Sequence, residues 1–274
     1  MARGNAAGNP ATDPLVSGMS LEDHIGDICR KARLQTQTPI DEAATLAGLS
    51  EEELKQWETD GEIGQPVNVA ALAGRLALDP DKATAVAEGW EPAAVDLGRW
   101  LELRMVTTAE GFEVNSFMAW DEESRCAAIF DTGWFADDLF AIADEHALSV
   151  EHLFITHMHG DHVAAMGAVR KRFSEIALHS NSGGAPVGSR VKPGESISVG
   201  RLSVTSRLTP GHAEDGVTYV VKGWPDGAPA VAMVGDAIFA GSMGKDFKTP
   251  ELAMRKIREE IFSLPPETLV CPGH

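Results

Sequence analysis

The residues best suited to chemistry form a cluster of histidines and carboxylates at positions 157–162. The segment Thr-His-Met-His-Gly-Asp-His, starting at Thr156, directly follows the apolar run Leu-Phe-Ile. Three imidazoles and one carboxylate this close together are costly to bury unless a cation compensates them. Their donor atoms suit Zn, Fe or Mn. A solvated polar loop is the alternative, but the apolar segments on both sides place the cluster at the rim of a core. The cluster therefore predicts a metal site.

Three further side chains with ligand chemistry each come at the end of a strand-like run. They are His212 after LTPG, Asp236 after VAMVG and His274 after LVCPG. A glycine precedes each one and allows the backbone to bend close to a metal. Since parts of the chain far apart in sequence end in the same donor types, we expect these side chains to meet at one metal centre.

The combined pattern H-x-H-x-D-H … H … D … H resembles that of the metallo-β-lactamase superfamily over about residues 98–274. The resemblance implies an α/β fold, an αββα sandwich, with two divalent metal ions as cofactors: zinc first, with iron or manganese as alternatives. It implies a first metal held by His157, His159 and His212, a second held by Asp161, His162 and His274, and Asp236 as the bridge. It also implies that Asp131, in the segment FDTG, supports the ligands from behind.

Two segments are similar to the glyoxalase II-like (hydroxyacylglutathione hydrolase-like) branch of that superfamily. Residues 235–245 read GDAIFAGSMGK, similar to GDTLFAGSxGR, and residues 264–274 read LPPETLVCPGH, similar to LPxxTxVxPGH. This resemblance implies hydrolysis of a small acyl thioester by a metal-bridging hydroxide. Asp161 and Asp236 are the catalytic candidates. Lys245 replaces the usual Arg and is a candidate for binding an anionic substrate group.

Three alternative functions remain open. Persulfide dioxygenases share the motif but use one iron, and they retain the remaining ligands as well. A lactonase would use the same metals. The third alternative is a metabolite sensor in which a metal domain regulates an N-terminal DNA-binding region.

Residues 21–94 have helical periodicity and form a separate predicted domain. Ser50 and Glu53 match a capping box, and ATLAGLSEEELKQWE around them resembles the lambda-repressor-like helix-turn-helix family. The predicted recognition helix, however, starts with three glutamates, and residues 1–90 hold seven basic and fifteen acidic residues. Coulomb repulsion from phosphates therefore argues against nucleic-acid binding. We expect a docking, lid or dimerisation role, with a homodimer as a further hypothesis.

Composition limits the remaining possibilities. The chain has 274 residues, a formal charge of −18 and three scattered cysteines, which excludes a disulfide scaffold. It has no apolar run long enough for a membrane span. Residues 1–20 are rich in Gly, Asn, Pro and Ser, with no secretory pattern, and predict a disordered leader and a cytoplasmic protein. Because relatives continue past the PGH motif, we expect the natural chain to extend beyond His274.

Overall fold

The computed structural model describes residues 21–186, 188–245 and 248–274, so the predicted leader lies outside the described residues. The helical region packs around its own apolar core, in which Leu54, Trp57 and Leu72 are buried. The capping box is confirmed, because the Ser50 side chain accepts from the Glu53 amide while the Glu53 carboxylate accepts from the Ser50 amide. The helices of this region are α1 (Ile25–Gln35), α2 (Ile40–Ala47), α3 (Glu51–Asp60), α4 (Val69–Arg75) and α5 (Pro80–Ala87).

Two five-stranded sheets form the rest of the molecule. The first sheet has, in spatial order, β1 (Leu103–Ala109), β2 (Glu113–Trp120), β3 (Cys126–Phe130), β4 (Ser149–Phe154) and β5 (Ala177–His179). The second sheet has, in chain order, β6 (Ser196–Val199), β7 (Leu202–Leu208), β8 (Val217–Lys222), β9 (Val231–Gly235) and, after a short hairpin, β12 (Leu269–Pro272). The spatial order of the second sheet is β12-β9-β8-β7-β6. The hairpin pairs β10 (Ile238–Phe239) with β11 (Ser242–Met243).

Helices cover the outer faces of both sheets. The inter-sheet core includes Phe117, Phe130, Tyr219 and Met233. The outer face of the first sheet buries its apolar side chains under α6 (Asp137–Glu145), α7 (Gly160–Val163) and α8 (Met166–Arg172). The second sheet is covered by α9 (Pro250–Lys256), which continues into a π-helical turn at Ile257–Ile261. These four layers confirm the predicted αββα fold class.

Strand direction explains why the site lies at one edge of the sandwich. Strands β3 and β4 are parallel neighbours, and so are β9 and β12, so each pair ends at a common edge. The Val217 amide donates to the Thr156 carbonyl at 2.8 Å and joins the two sheets at that edge. The chain segments that follow β3, β4, β9 and β12 therefore converge, and these segments carry most of the predicted site residues.

Two elements differ from the sequence-based expectation. Strand β4 begins at Ser149, four residues before the apolar run at 153–155; the sequence does not reveal this start because the first half of the strand alternates between exposed and buried positions. The β10–β11 hairpin has no counterpart in the prediction, since each of its strands is only two residues long. This hairpin is the surface on which the helical region docks.

Among the described residues, none of the helices combines the length and apolarity needed to cross a membrane.

Candidate metal centre

The first group of converging side chains is His157, His159 and His212. His157 follows β4 and is 2% exposed, whereas His212 comes from the loop between β7 and β8. The Nδ1 atom of His159 lies 3.1 Å from His157 Nε2 and 2.8 Å from His212 Nε2. The ligand atoms of the three rings all lie within 4.8 Å of one another. Three imidazole nitrogens with this spacing are able to coordinate one cation.

The second group consists of Asp161, His162 and His274. His162 Nε2 lies 3.4 Å from Asp161 Oδ2, and His274 Nε2 lies 3.2 Å from the same oxygen. His162 and Asp161 are on α7, whose short helical turn points both side chains inward, while His274 follows β12. These ligand atoms also lie within 4.8 Å of one another and form a second cation-sized cluster.

Asp236 lies between the two groups. Its Oδ2 atom is 3.4 Å from His212 Nε2 in the first group and 3.5 Å from His274 Nε2 in the second. Its Oδ1 atom is 3.2 Å from His162 Nε2. One buried carboxylate therefore faces both groups, as the predicted bridging role requires.

Asp131 holds the site from behind. It comes directly after β3, and its carboxylate accepts from the Thr156 amide at 2.8 Å and from the Thr156 hydroxyl at 2.7 Å. The same carboxylate lies 2.8 Å from His162 Nδ1, which leaves His162 Nε2 directed at Asp236. The carboxylate thus fixes both the segment that carries His157 and the ring of His162.

Two features position His274: a contact with Glu113 that the sequence pattern does not indicate, and the preceding Gly273, whose close approach the pattern predicts. The carbonyl of Glu113, at the start of β2, lies 2.5 Å from His274 Nδ1 and fixes the ring, so that Nε2 faces the site. At Gly273, an added Cβ would lie 2.4 Å from Asp236 Oδ1 and 2.6 Å from His162 Cε1. A side chain at this position would fill the space between the ligands, so glycine is required by close approach.

The unsatisfied polar atoms show that the residues fit a metal. Within the described part of the chain, His162 Nε2, His212 Nδ1 and Asp236 Oδ1 are buried and have no hydrogen-bond partner. His162 Nε2 and Asp236 Oδ1 are close, but their geometry does not form a hydrogen bond. Buried polar atoms without partners are costly. Two of the three point toward the centre, and divalent cations bind nitrogen and carboxylate donors of this kind.

The two groups differ in their electrostatics. Burial lowers the pKa of His157 to about 2 and also lowers the pKa of His212, so these rings are neutral and offer lone pairs. Burial would also lower the pKa of His162, but the Asp131 and Asp236 carboxylates outweigh this effect and raise the pKa to about 10. The pKa of His274 is raised in the same way by the carboxylates of Asp161 and Asp236. The carboxylates around the second group therefore favour positive charge there, which a bound cation would supply.

Lys245 is exposed, and it is the backbone of its segment that approaches the metal centre. At the preceding Gly244, an added Cβ would collide with the Asp236 carbonyl and lie 3.0 Å from His212 Nδ1. The segment therefore packs against the site through its main chain. Binding of an anionic substrate group by the Lys245 side chain stays a prediction.

Comparison with known families identifies the fold of the two-sheet domain. The family model described as the metallo-beta-lactamase superfamily matches residues 109–274, which include the eight side chains at the centre. The chain belongs to the metallo-beta-lactamase superfamily. Members of this superfamily are metal-dependent, which agrees with the donor set described above.

Relatives of two different activities are similar to this chain. Hydroxyacylglutathione hydrolase of Yersinia enterocolitica is 28% identical over 156 residues, which are 56% of this chain and 59% of the relative. The same enzyme of Salmonella dublin is 31% identical, and the match again covers 56% of this chain and 59% of the relative. Persulfide dioxygenase ETHE1 of Bos taurus is 29% identical over 164 residues, 58% of this chain and 63% of the relative. The matched region thus spans about three-fifths of the length of these relatives.

A solved structure of ETHE1 from Myxococcus xanthus is 28% identical to this chain, with a TM-score of 0.55. The match covers 63% of this chain and 75% of the ETHE1 chain. The BLEG-1 B3 metallo-beta-lactamase is 25% identical, with a TM-score of 0.52. The match covers 63% of this chain and 91% of the BLEG-1 chain. These likenesses support the fold of the metal domain, whereas the helix-turn-helix resemblance of the N-terminal region stays a prediction.

Proposed function

We propose that this protein is a dinuclear metal-dependent hydrolase of thioesters. The observation that carries the proposal is the complete second group, Asp161, His162 and His274, which faces Asp236 together with the first. A mononuclear dioxygenase centre would need only His157, His212 and Asp236, but such enzymes retain the other ligands as well, so the metal content is the deciding test. The similarity to hydroxyacylglutathione hydrolases supplies the thioester as substrate class.

The ligand roles in this proposal follow the two groups. His157, His159 and His212 would hold one divalent ion, Asp161, His162 and His274 would hold the other, and Asp236 would contribute to both. When bound, such ions lower the pKa of water and polarise a carbonyl oxygen, which is the chemistry that thioester hydrolysis requires. Zinc is the proposed metal.

The protein's own groups position the reactants. Asp161 has a side chain 12% exposed, at the boundary between the buried ligands and solvent. Its carboxylate there accepts a hydrogen bond from the attacking water and orients it toward the thioester carbonyl. Asp131 and the Glu113 carbonyl hold the rings of His162 and His274 in fixed orientations. This preorganisation lowers the cost of reaching the transition state.

A persulfide dioxygenase is the second candidate, because the bovine and Myxococcus ETHE1 proteins are as similar to this chain as the hydrolases are. In that case one iron is held by His157, His212 and Asp236. The second group is then a set of buried polar side chains with no metal of its own.

Metal content and activity of the full chain, purified without added metal, separate the two candidates. We expect about two divalent ions per chain and release of thiol from an acyl thioester panel. One iron per chain, with oxygen uptake on a persulfide substrate and no thiol release, would contradict the hydrolase. Elemental analysis and the two assays are run on the same preparation.

A variant of the second group sharpens the test. His162→Ala removes a ligand of the second ion but none of the first group. For the hydrolase we expect the content to fall from about two ions to about one and thiol release to fall by at least about a hundredfold. The matched control is His146→Ala, because His146 stacks on Trp120 away from the centre. Unchanged hydrolysis in His162→Ala would reject the dinuclear mechanism.

A further inference from the structure

A cavity of about 580 Å³ lies beside the second group, at the open edges of the two sheets. Edge strand β1 contributes Leu103 and Met105, and edge strand β12 contributes Val270. The β10–β11 hairpin contributes Phe239, and further lining comes from residues 91–95, in the connection after α5, and from Leu21, at the start of the helical region. The cavity is therefore shared between the metal domain and the N-terminal region.

His274 connects this cavity to the metal centre. It lines the cavity, and its Nε2 atom lies 3.2 Å from Asp161 Oδ2 and 3.5 Å from Asp236 Oδ2. The ring of Phe239, another lining residue, lies 5.9 Å from the His274 ring. The cavity therefore adjoins the metal centre at His274, whose ring contacts both.

The lining determines which group fits. The volume of the cavity is in the range of small-molecule binding sites. Apart from His274, the charged side chains among its described lining residues are the carboxylates Glu22 and Glu91, and no Lys or Arg contributes to that lining. Carboxylates repel an anionic group such as the glycine carboxylate of glutathione, whereas an apolar chain gains free energy by leaving water. The chemistry of the wall therefore favours an uncharged, apolar group.

The helical region is fixed in place next to this wall. Asp23 pairs with Lys31 and accepts from the Ser242 hydroxyl at 2.5 Å. Lys31 also donates to the Met243 carbonyl at 3.2 Å and lies over the Phe239 ring. These contacts hold α1 on the β10–β11 hairpin and keep the start of the helical region beside the cavity.

We propose that this cavity binds the apolar acyl chain of the thioester, so that the N-terminal region is part of the substrate site. The inference rests on the proposed hydrolase function. It names the substrate class as thioesters of uncharged, medium-length acyl groups and excludes S-lactoylglutathione as the preferred substrate.

The first test compares thioesters of one uncharged thiol, N-acetylcysteamine. We expect kcat/KM for the octanoyl ester to exceed that for the acetyl ester by at least about tenfold, because each buried methylene adds transition-state binding. S-lactoylglutathione is assayed alongside and is expected to be poorer than the octanoyl ester. Equal values for acetyl and octanoyl esters, or a preference for S-lactoylglutathione, would overturn the inference and leave the hydrolase standing.

A cavity-filling variant tests the location. Ala94 is exposed on the connection and lines the cavity, so Ala94→Trp places an indole in the acyl space without altering a ligand. We expect the octanoyl-to-acetyl ratio to fall toward one. Ala141→Trp, an exposed position on α6, is the matched control and should keep the wild-type ratio. A wild-type ratio in Ala94→Trp, with an unchanged melting temperature, would contradict the inference.

A binding measurement separates this inference from the hydrolase proposal. The thioether S-octyl-N-acetylcysteamine cannot be hydrolysed, and calorimetry compares it with the S-methyl thioether on the purified protein. Tighter binding of the octyl compound that is lost in Ala94→Trp supports the apolar site even if no thioester is cleaved, in which case the hydrolase proposal fails instead. Equal affinity for both thioethers rejects the acyl cavity.

Discussion

At the scale of single residues, the candidate site depends on groups that orient the ligands as well as on the ligands themselves. Asp131 belongs to neither ligand group, yet its two oxygens accept from the Thr156 backbone and side chain and face His162 Nδ1. A partner on one ring nitrogen determines which nitrogen is free for a metal. Asp131, which lies behind the ligands, therefore determines the direction in which His162 Nε2 points.

Asp131→Asn tests this role. The substitution keeps the side-chain volume but replaces one acceptor oxygen with an amide that donates, so either Thr156 or His162 loses its acceptor. We expect metal affinity to fall about 10–100-fold. The measurement is competition with a chelator of known affinity. The exposed acid Asp138, on α6, provides the matched control, Asp138→Asn, whose affinity should equal that of the wild type. An equal affinity in Asp131→Asn would show that the carboxylate does not support the ligands.

At the scale of elements, the two sheets are also tied together at the end opposite the metal centre. Asp121, in the turn between β2 and β3, accepts from the Ser124 hydroxyl at 2.7 Å. It also accepts from the Arg201 amide at 3.2 Å and the Arg201 Nε at 2.8 Å, in the turn between β6 and β7. One carboxylate thus joins a turn of the first sheet to a turn of the second.

The ionisation of Asp121 predicts a pH-dependent contribution to stability. Burial alone would raise the pKa of Asp121, but the hydrogen bonds from Ser124 and Arg201 outweigh it and lower the pKa well below its usual range. With a depressed folded-state pKa, the stabilisation is complete above the unfolded value of about 3.9. It is lost as the pH falls through the lower folded value.

We expect Asp121→Asn to lower the free energy of unfolding by about 1–3 kcal/mol at neutral pH. The difference from the wild type should shrink as the pH falls below about 4. Urea unfolding at several pH values measures both. Glu122→Gln is the control, because Glu122 pairs with Arg125 at the surface, where such pairs contribute little. A difference that stayed constant down to acid pH would show that the charge of Asp121 is not the cause.

At the scale of the whole molecule, charge and docking together define the N-terminal region. Its α1 helix is joined to the β10–β11 hairpin by Lys31, and Gln35 donates to the Met254 sulfur at 3.7 Å. The α3 helix begins with exposed Glu51 and Glu52. The region therefore presents an acidic helix outward and uses another helix to contact the metal domain.

We expect no binding to duplex DNA tighter than about 100 µM at low salt, because phosphates and these carboxylates repel each other. Fluorescence anisotropy of a labelled duplex is the measurement. The comparison variant carries Glu51→Lys and Glu52→Lys and leaves Glu53 in its capping box. This variant should acquire salt-dependent association. Micromolar binding by the wild type would reject the interpretation and favour a DNA-binding regulator.

Much of the centre is predictable from sequence because its residues are placed by local rules. His157, Asp161 and His162 are close in sequence, and Asp131, Asp236 and His274 each follow a strand. Parallel strands end at a common edge, so strand ends carrying donor residues are expected to meet there. The confirmed capping box follows from the same kind of local rule, whereas the confirmed αββα layers are expected from the resemblance to the metallo-β-lactamase superfamily.

Tertiary structure alone decided how the remaining parts contact the centre. The Lys31 contact with Met243 spans 212 residues, and the Glu113 contact with His274 spans 161. Neither contact leaves a periodic or compositional mark, because a backbone carbonyl accepts from any donor that packing brings to it. The cavity beside His274 has the same origin: apolar side chains that a sequence assigns to a core remain partly uncovered where two sheet edges and a connecting segment meet. Spacing in the chain thus determined which residues carry the chemistry, and long-range packing determined the space in which a substrate meets them.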